Sequence, residues 1–210
     1  MNAAELGRLY KKQKGHKADG RSVRRYKKNA VDALQAAAAG SIQQAPGYCR
    51  ELVKMSPGSV ANVERHPDGS FKRIAIVVNR AALVIARGLF KFLQVDGGHM
   101  KGTWKGMVLV AAGKDTNNNL VLVAFVICDK ENSTNYEFLF SEMKKNVHLK
   151  APLESPLTTI YSDENNGIKS AIEIEASDII HRLCCKHLAN NFPGPGIGEV
   201  LYSRSFTLIT

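Results

Sequence analysis

The chain has 210 residues, 44% of them hydrophobic, and a formal charge of +10, which is enough apolar content for one substantial core with a small accessory segment. No run of about 18 or more apolar residues occurs, and the N-terminus lacks a basic-then-apolar signal, so neither a membrane-spanning nor a secreted protein is expected. Cys49, Cys128, Cys184 and Cys185 are too few and too unevenly spaced for a secreted disulfide framework, and reduced thiols are expected.

The positive charge sits at the start. Residues 1–28 hold ten Lys/Arg against Glu5 and Asp19, while the rest of the chain is close to neutral. Lys11, Lys12, Lys14 and Lys17 form one cluster, and Arg21, Arg24, Arg25, Lys27 and Lys28 a second, with Gly15 and Gly20 interspersed. Clustered cations displace counterions from phosphates, so the arm suits a polyanion or a bipartite nuclear-import signal, and a nuclear location is expected. A solvated, disordered tail explains the same composition equally well.

Residues 29–39 are Ala-rich with Val31 and Leu34, which predicts a helix, because Ala loses no side-chain entropy; Gly40 is the expected stop. A second short helix is predicted over residues 47–55, before Ser56-Pro57-Gly58. Residues 60–64 and 71–78 flank His66-Pro67-Asp68-Gly69 and read as a hairpin. Strands are then predicted over residues 92–96, 107–112 and 120–128, the last two joined by a polar Asn-rich loop, as an antiparallel meander. Tyr136, Phe140, Met143 and Val147 recur at helical spacing. A strand over 157–161, a helix over 167–174 with Ile168, Ala171 and Ile172 on one side, and a strand over 179–184 complete the order.

Three strands, then helix, strand, helix and strand, is the pattern of an α/β, RNase H-like mixed sheet with flanking helices. The expected organisation is a basic, partly disordered arm with the Ala-rich helix (1–45), a region preceding the core (46–91), the RNase H-like domain (92–192) and an irregular tail (193–210).

Asp96 ends an apolar strand and is followed by Gly97-Gly98, and Asp163 follows the strand over 157–161. A sheet that brought both strand ends together would leave two repelling carboxylates, a pair of hard oxygen donors suited to Mg²⁺ or Mn²⁺. Such ions can drive in-line displacement at phosphorus. Alternatively, strand-terminal Asp simply favours turns.

Phe92-Leu93-Gln94-Val95-Asp96-Gly97-Gly98-His99-Met100-Lys101-Gly102 resembles the first-aspartate strand of Mutator-like (MULE) transposases. In the same order, residues 107–115 with 120–124 are similar to the family's next two strands. Glu131-Asn132 with Tyr136-Glu137-Phe138-Leu139 resembles its helix start, with Tyr136 where Trp is usual. Ser162-Asp163 with Gly167-Ile168 and Ala171-Ile172 resembles its second-aspartate motif, and Cys184 and His187, with Asn190 or Asn191 and Phe192, its Cys-x-x-His signature. Ser56-Pro57-Gly58-Ser59 and Phe71 look like the preceding region, so the resemblance runs over roughly residues 46–192. It implies a DNA transposase with catalytic, metal-holding Asp96 and Asp163, Mg²⁺ or Mn²⁺ as cofactor, and DNA (element terminal repeats and target) as partner, and it allows a homo-oligomer.

Lys101 and Lys105, with His99 and Trp104, follow Asp96 closely and are candidate DNA contacts, as are Arg24, Arg25, Lys27 and Lys28 of the arm; the bland alternative is solvated lysines. His181, Cys184, Cys185 and His187 offer zinc-type donors, but a structural site needs four ligands and no second well-spaced pair exists, so zinc is not expected. A buried Cys beside a hydrogen-bonded His is the other reading. The family completes its site with a third acid, usually Glu, well beyond Cys-x-x-His. After His187 the only acid is Glu199, near Pro193-Gly194-Pro195-Gly196. The expectation is therefore a DNA transposase of the two-metal DDE type, cleaving DNA and transferring strands, that is a truncated or inactive element-derived fragment, or alternatively a non-catalytic DNA-binding or interaction protein derived from a transposase.

Overall fold

The computed structural model describes residues 8, 11–15, 20–88, 92–101, 104–115, 117, 119–184 and 187. The expected tail over 193–210 with Glu199, as well as Lys17, Cys185, Asn190, Asn191 and Phe192, lies outside them. Contacts divide the chain into two compact units at Gln44/Ala45, with Lys101 and Trp104 grouped in the first unit.

The first unit is built on helix α1, Gly20–Gln43. The helix starts before the Ala-rich run and takes in the second basic cluster. It also continues through Gly40, the expected stop. A glycine inside a helix costs only about 1 kcal/mol relative to Ala, which the neighbouring alanines offset.

The second unit contains, in chain order, α2 (Ala45–Met55), β1 (Val60–Arg65), β2 (Phe71–Val77), α3 (Asn79–Ala86), β3 (Phe92–His99), β4 (Met107–Lys114), β5 (Leu120–Cys128), α4 (Ser133–Lys144), α5 (Lys150–Leu153), β6 (Thr159–Ser162), α6 (Asn166–Glu175) and β7 (Ile180–Leu183). The strands form one seven-stranded sheet in the order β1-β2-β5-β4-β3-β6-β7. β3 pairs with β6, and β6 with β7, in parallel, and every other ladder is antiparallel. This is the expected α/β mixed sheet with flanking helices, compatible with an RNase H-like fold. No helix among the described residues is long and apolar enough to cross a membrane.

The period of two along the strands separates two cores. Ala75 and Val77 of β2 join the main cluster with residues of α3, α4 and α6, whereas Ile74 and Ile76 face Cys49 and Leu52 of α2. Tyr136, Phe140 and Met143 are fully buried on α4, each stabilising by about 1.5–3 kcal/mol through apolar burial. Val147, expected in that stripe, lies past the helix end at Lys144 and is 77% exposed. Leu157, expected in β6, precedes that strand and is also exposed.

Helix α3 has no counterpart in the sequence reading. Its apolar residues run together without a clear period, and tertiary packing decides the outcome, burying Ala81, Ala82 and Ile85. Arg73 ties β2 to α4: its guanidinium pairs with Glu64 (2.7 Å), donates to Thr134 O and Asn135 Oδ1, and lies 3.9 Å from the centre of the Phe138 ring. These partners offset the cost of burying a charge. Cys49, Cys128 and Cys184 are free thiols, all buried.

Candidate catalytic site

β3 serves two neighbours differently. It pairs with β4 from Gln94 to His99, but with β6 only from Phe92 to Gln94, where Gln94 stands opposite Tyr161. Extended beyond the ladder, that register would set Asp96 level with Asp163, which lies just past the end of β6 at Ser162. Asp96 therefore does not end β3, as expected from Gly97-Gly98; β4 carries both glycines onward in the ladder. What ends just before Asp96, at Gln94, is the pairing with β6. In open α/β sheets, ligands bind beyond the carboxyl ends of parallel strands where neighbouring connections diverge.

Both aspartates are half-buried. Asp96 Oδ1 accepts from the Gly97 amide (2.9 Å) and Asp163 Oδ1 from the Asn165 amide (3.2 Å). Neither Oδ2 takes a hydrogen bond from the described residues. Backbone amides thus orient each carboxylate while one oxygen stays available. Carboxylate oxygens are hard donors of the kind Mg²⁺ or Mn²⁺ takes. Among the described residues, no group of three or more His, Cys, Asp and Glu side chains is placed to hold a metal ion.

A third carboxylate, which the sequence reading did not include among the site residues, abuts this pair. Glu131 Oε1 accepts from Tyr136 Oη (2.7 Å) and from Asn165 Nδ2 (3.0 Å). Against β3 the fit is so close that a Cβ on Gly97 would lie 2.7 Å from Glu131 Oε1. Asn165 also caps α6, its Oδ1 accepting from the Gly167 amide, and Asn132 caps α4 by accepting from Asn135. The two helix starts meet backbone to backbone, since a Cβ on Gly167 would lie 2.9 Å from Ser133 N. Burial and the hydrogen bond to Glu131, with the charges of Glu131, Asp163 and Asp96 behind it, push the Tyr136 phenol well above its ordinary pKa. It is held as a neutral donor. The signal available in the sequence was Glu131-Asn132 directly before a helix start; nothing local says that Glu131 reaches β3.

The remaining candidates are dispersed. His181 Nε2 is 2.8 Å from Ser162 Oγ, and burial, then Lys169 and Arg182, hold its pKa below the usual histidine value. Cys184 Sγ instead accepts weakly from Gln94 Nε2 at 3.9 Å. Ser162 and Gln94 occupy opposite faces of the sheet by the alternation of β3 and β6, so these two donors are drawn apart. His187 Nδ1 is buried and has no hydrogen-bond partner among the described residues. Lys101 groups with the α1 unit and Lys105 with the sheet unit, and both are exposed. Arg24, Arg25, Lys27 and Lys28 are exposed on α1. A groove between α2 and β1, lined by Arg50, Lys54 and Arg65, lies at the sheet edge away from β6 and contains neither aspartate.

No curated protein matches the chain. Residues 92–191, from β3 through Asp96, Glu131, Tyr136 and Asp163, match the model of the MULE transposase domain. That match, the order of the motifs and the mixed sheet agree, and together they support a MULE-family, transposase-related protein.

Proposed function

We propose that this protein carries part of a DDE-type transposase site, with Asp96 and Asp163 as the carboxylates that hold Mg²⁺ or Mn²⁺, enough for weak DNA nicking but, without the third acid, not for strand transfer. The observation that supports the reading is the parallel pairing of β3 with β6 up to Gln94 and Tyr161, two residues before Asp96 and Asp163 on the two segments. When bound there, the ions supply Lewis-acid activation of a water or 3′-hydroxyl and of the phosphoryl oxygen. The chain's own part is to present the two carboxylates, each turned by a backbone amide. Purified protein with Mn²⁺ and supercoiled plasmid should nick the DNA, and Asp96→Asn and Asp163→Asn should each abolish the nicking. Equal nicking by all three proteins would overturn the proposal.

A second reading, DNA binding without chemistry, draws on the exposed Arg21, Arg24, Arg25, Lys27 and Lys28 at the start of α1. Cations on one helix end suit the phosphate backbone and, equally, nuclear import. A transposase-type domain implies DNA as partner under either reading.

A further inference from the structure

We propose that Glu131 is a positioning residue that sets the spacing of Asp96 and Asp163; this rests on the metal-dependent reading above. The two aspartates stand on different strands that have stopped pairing, and like charges at such a point push the strand ends apart. Something outside the β3–β6 ladder must hold them.

Glu131 touches both ends. On the β6 side its Oε1 takes a hydrogen bond from Asn165 Nδ2 (3.0 Å), and the amide of the same asparagine donates to Asp163 Oδ1 (3.2 Å). On the β3 side the carboxylate lies against Gly97, whose amide donates to Asp96 Oδ1. The anchor is Tyr136, fully buried on α4, whose hydroxyl donates to the same Oε1 at 2.7 Å. Core packing is thus transmitted through one side chain to both strand ends. Glu131 is not placed in a three-ligand group with the aspartates, and its Oε1 is occupied by two donors. In this reading its two hydrogen bonds make it an orienting group.

The test is Mn²⁺ titration of the full chain, followed by the electron paramagnetic resonance of free Mn²⁺, with folding checked by circular dichroism. Wild type should bind Mn²⁺, and Asp96→Asn and Asp163→Asn should lose it. Glu131→Ala should weaken binding about 10–100-fold, the usual effect of removing a group that orients metal ligands. Glu131→Gln keeps an oxygen acceptor for Tyr136 and Asn165 and should restore most of the affinity. If Glu131→Ala does not fold, Tyr136→Phe, which deletes one donor, replaces it, and weaker binding is again expected. Unchanged affinity in the folded Ala or Phe variant overturns the inference alone. Equal losses in Gln and Ala overturn it too, because the charge rather than the hydrogen bonds would then matter. Wild-type binding insensitive to both aspartate substitutions overturns the metal reading and the inference together.

Discussion

A methyl group at Gly97 would sit 2.7 Å from Glu131 Oε1 and 3.0 Å from Tyr136 Oη. The carboxylate end of a glutamate usually swings aside cheaply, but this one is held by two donors, one of them on a fully buried ring. Relief of the clash has to break those bonds or shift β3. Gly97→Ala should therefore destabilise the fold by about 1–3 kcal/mol. Gly98 is the internal control, since a Cβ there meets nothing within 4 Å; Gly98→Ala should stay within about 0.5 kcal/mol of wild type. Urea denaturation of both variants decides the matter. Equal stabilities would mean that Glu131 is free to move and that the close approach has no energetic consequence.

At the scale of elements, the site is framed by two helix N-termini as much as by two strands. Asn132 caps α4 and immediately follows Glu131, so the turn that presents the carboxylate is the turn that starts the helix. Asn165 caps α6 while donating its side-chain amide to Glu131. A cap side chain satisfies an amide that the helix leaves unpaired. Asn132→Ala should cost about 0.5–2 kcal/mol by the same denaturation assay. A change below that range would show that the Asn132 carbonyl, which accepts from the Asn135 and Tyr136 amides, suffices to hold the start of α4.

Across the whole molecule, charge and fold are distributed unequally. The basic excess lies in residues 1–28, while the carboxylates and the sheet lie beyond Ala45. If the arm neutralises DNA phosphates, deleting residues 1–28 should weaken DNA binding. It should also flatten the log–log salt dependence by about 0.9 for each phosphate that is no longer neutralised. Fluorescence anisotropy over a salt series measures both. An unchanged slope would assign phosphate binding to the sheet unit instead.

Much of this architecture can be read from local pattern. The hairpin around His66–Gly69, the meander over β3, β4 and β5, and the buried face of α6 follow from turn residues and periods of two and 3.6, which neighbours along the chain determine. The Asp96 and Asp163 motifs were legible because each is a short run with its own order. Other features depended on interactions between distant residues. The apolar run of α3 has no period that separates helix from strand, and Gly40 is tolerated within a longer helix than its propensity suggested. Gly97-Gly98 reads as a strand end until β4 is there to pair with it. Pattern alone could not set Gln94 opposite Tyr161, nor bring Glu131 from the turn before α4 onto Gly97 and Asn165. Pairing register and side-chain reach join segments that lie tens of residues apart, so only the assembled sheet, with its helices packed on it, decides which side chains come together.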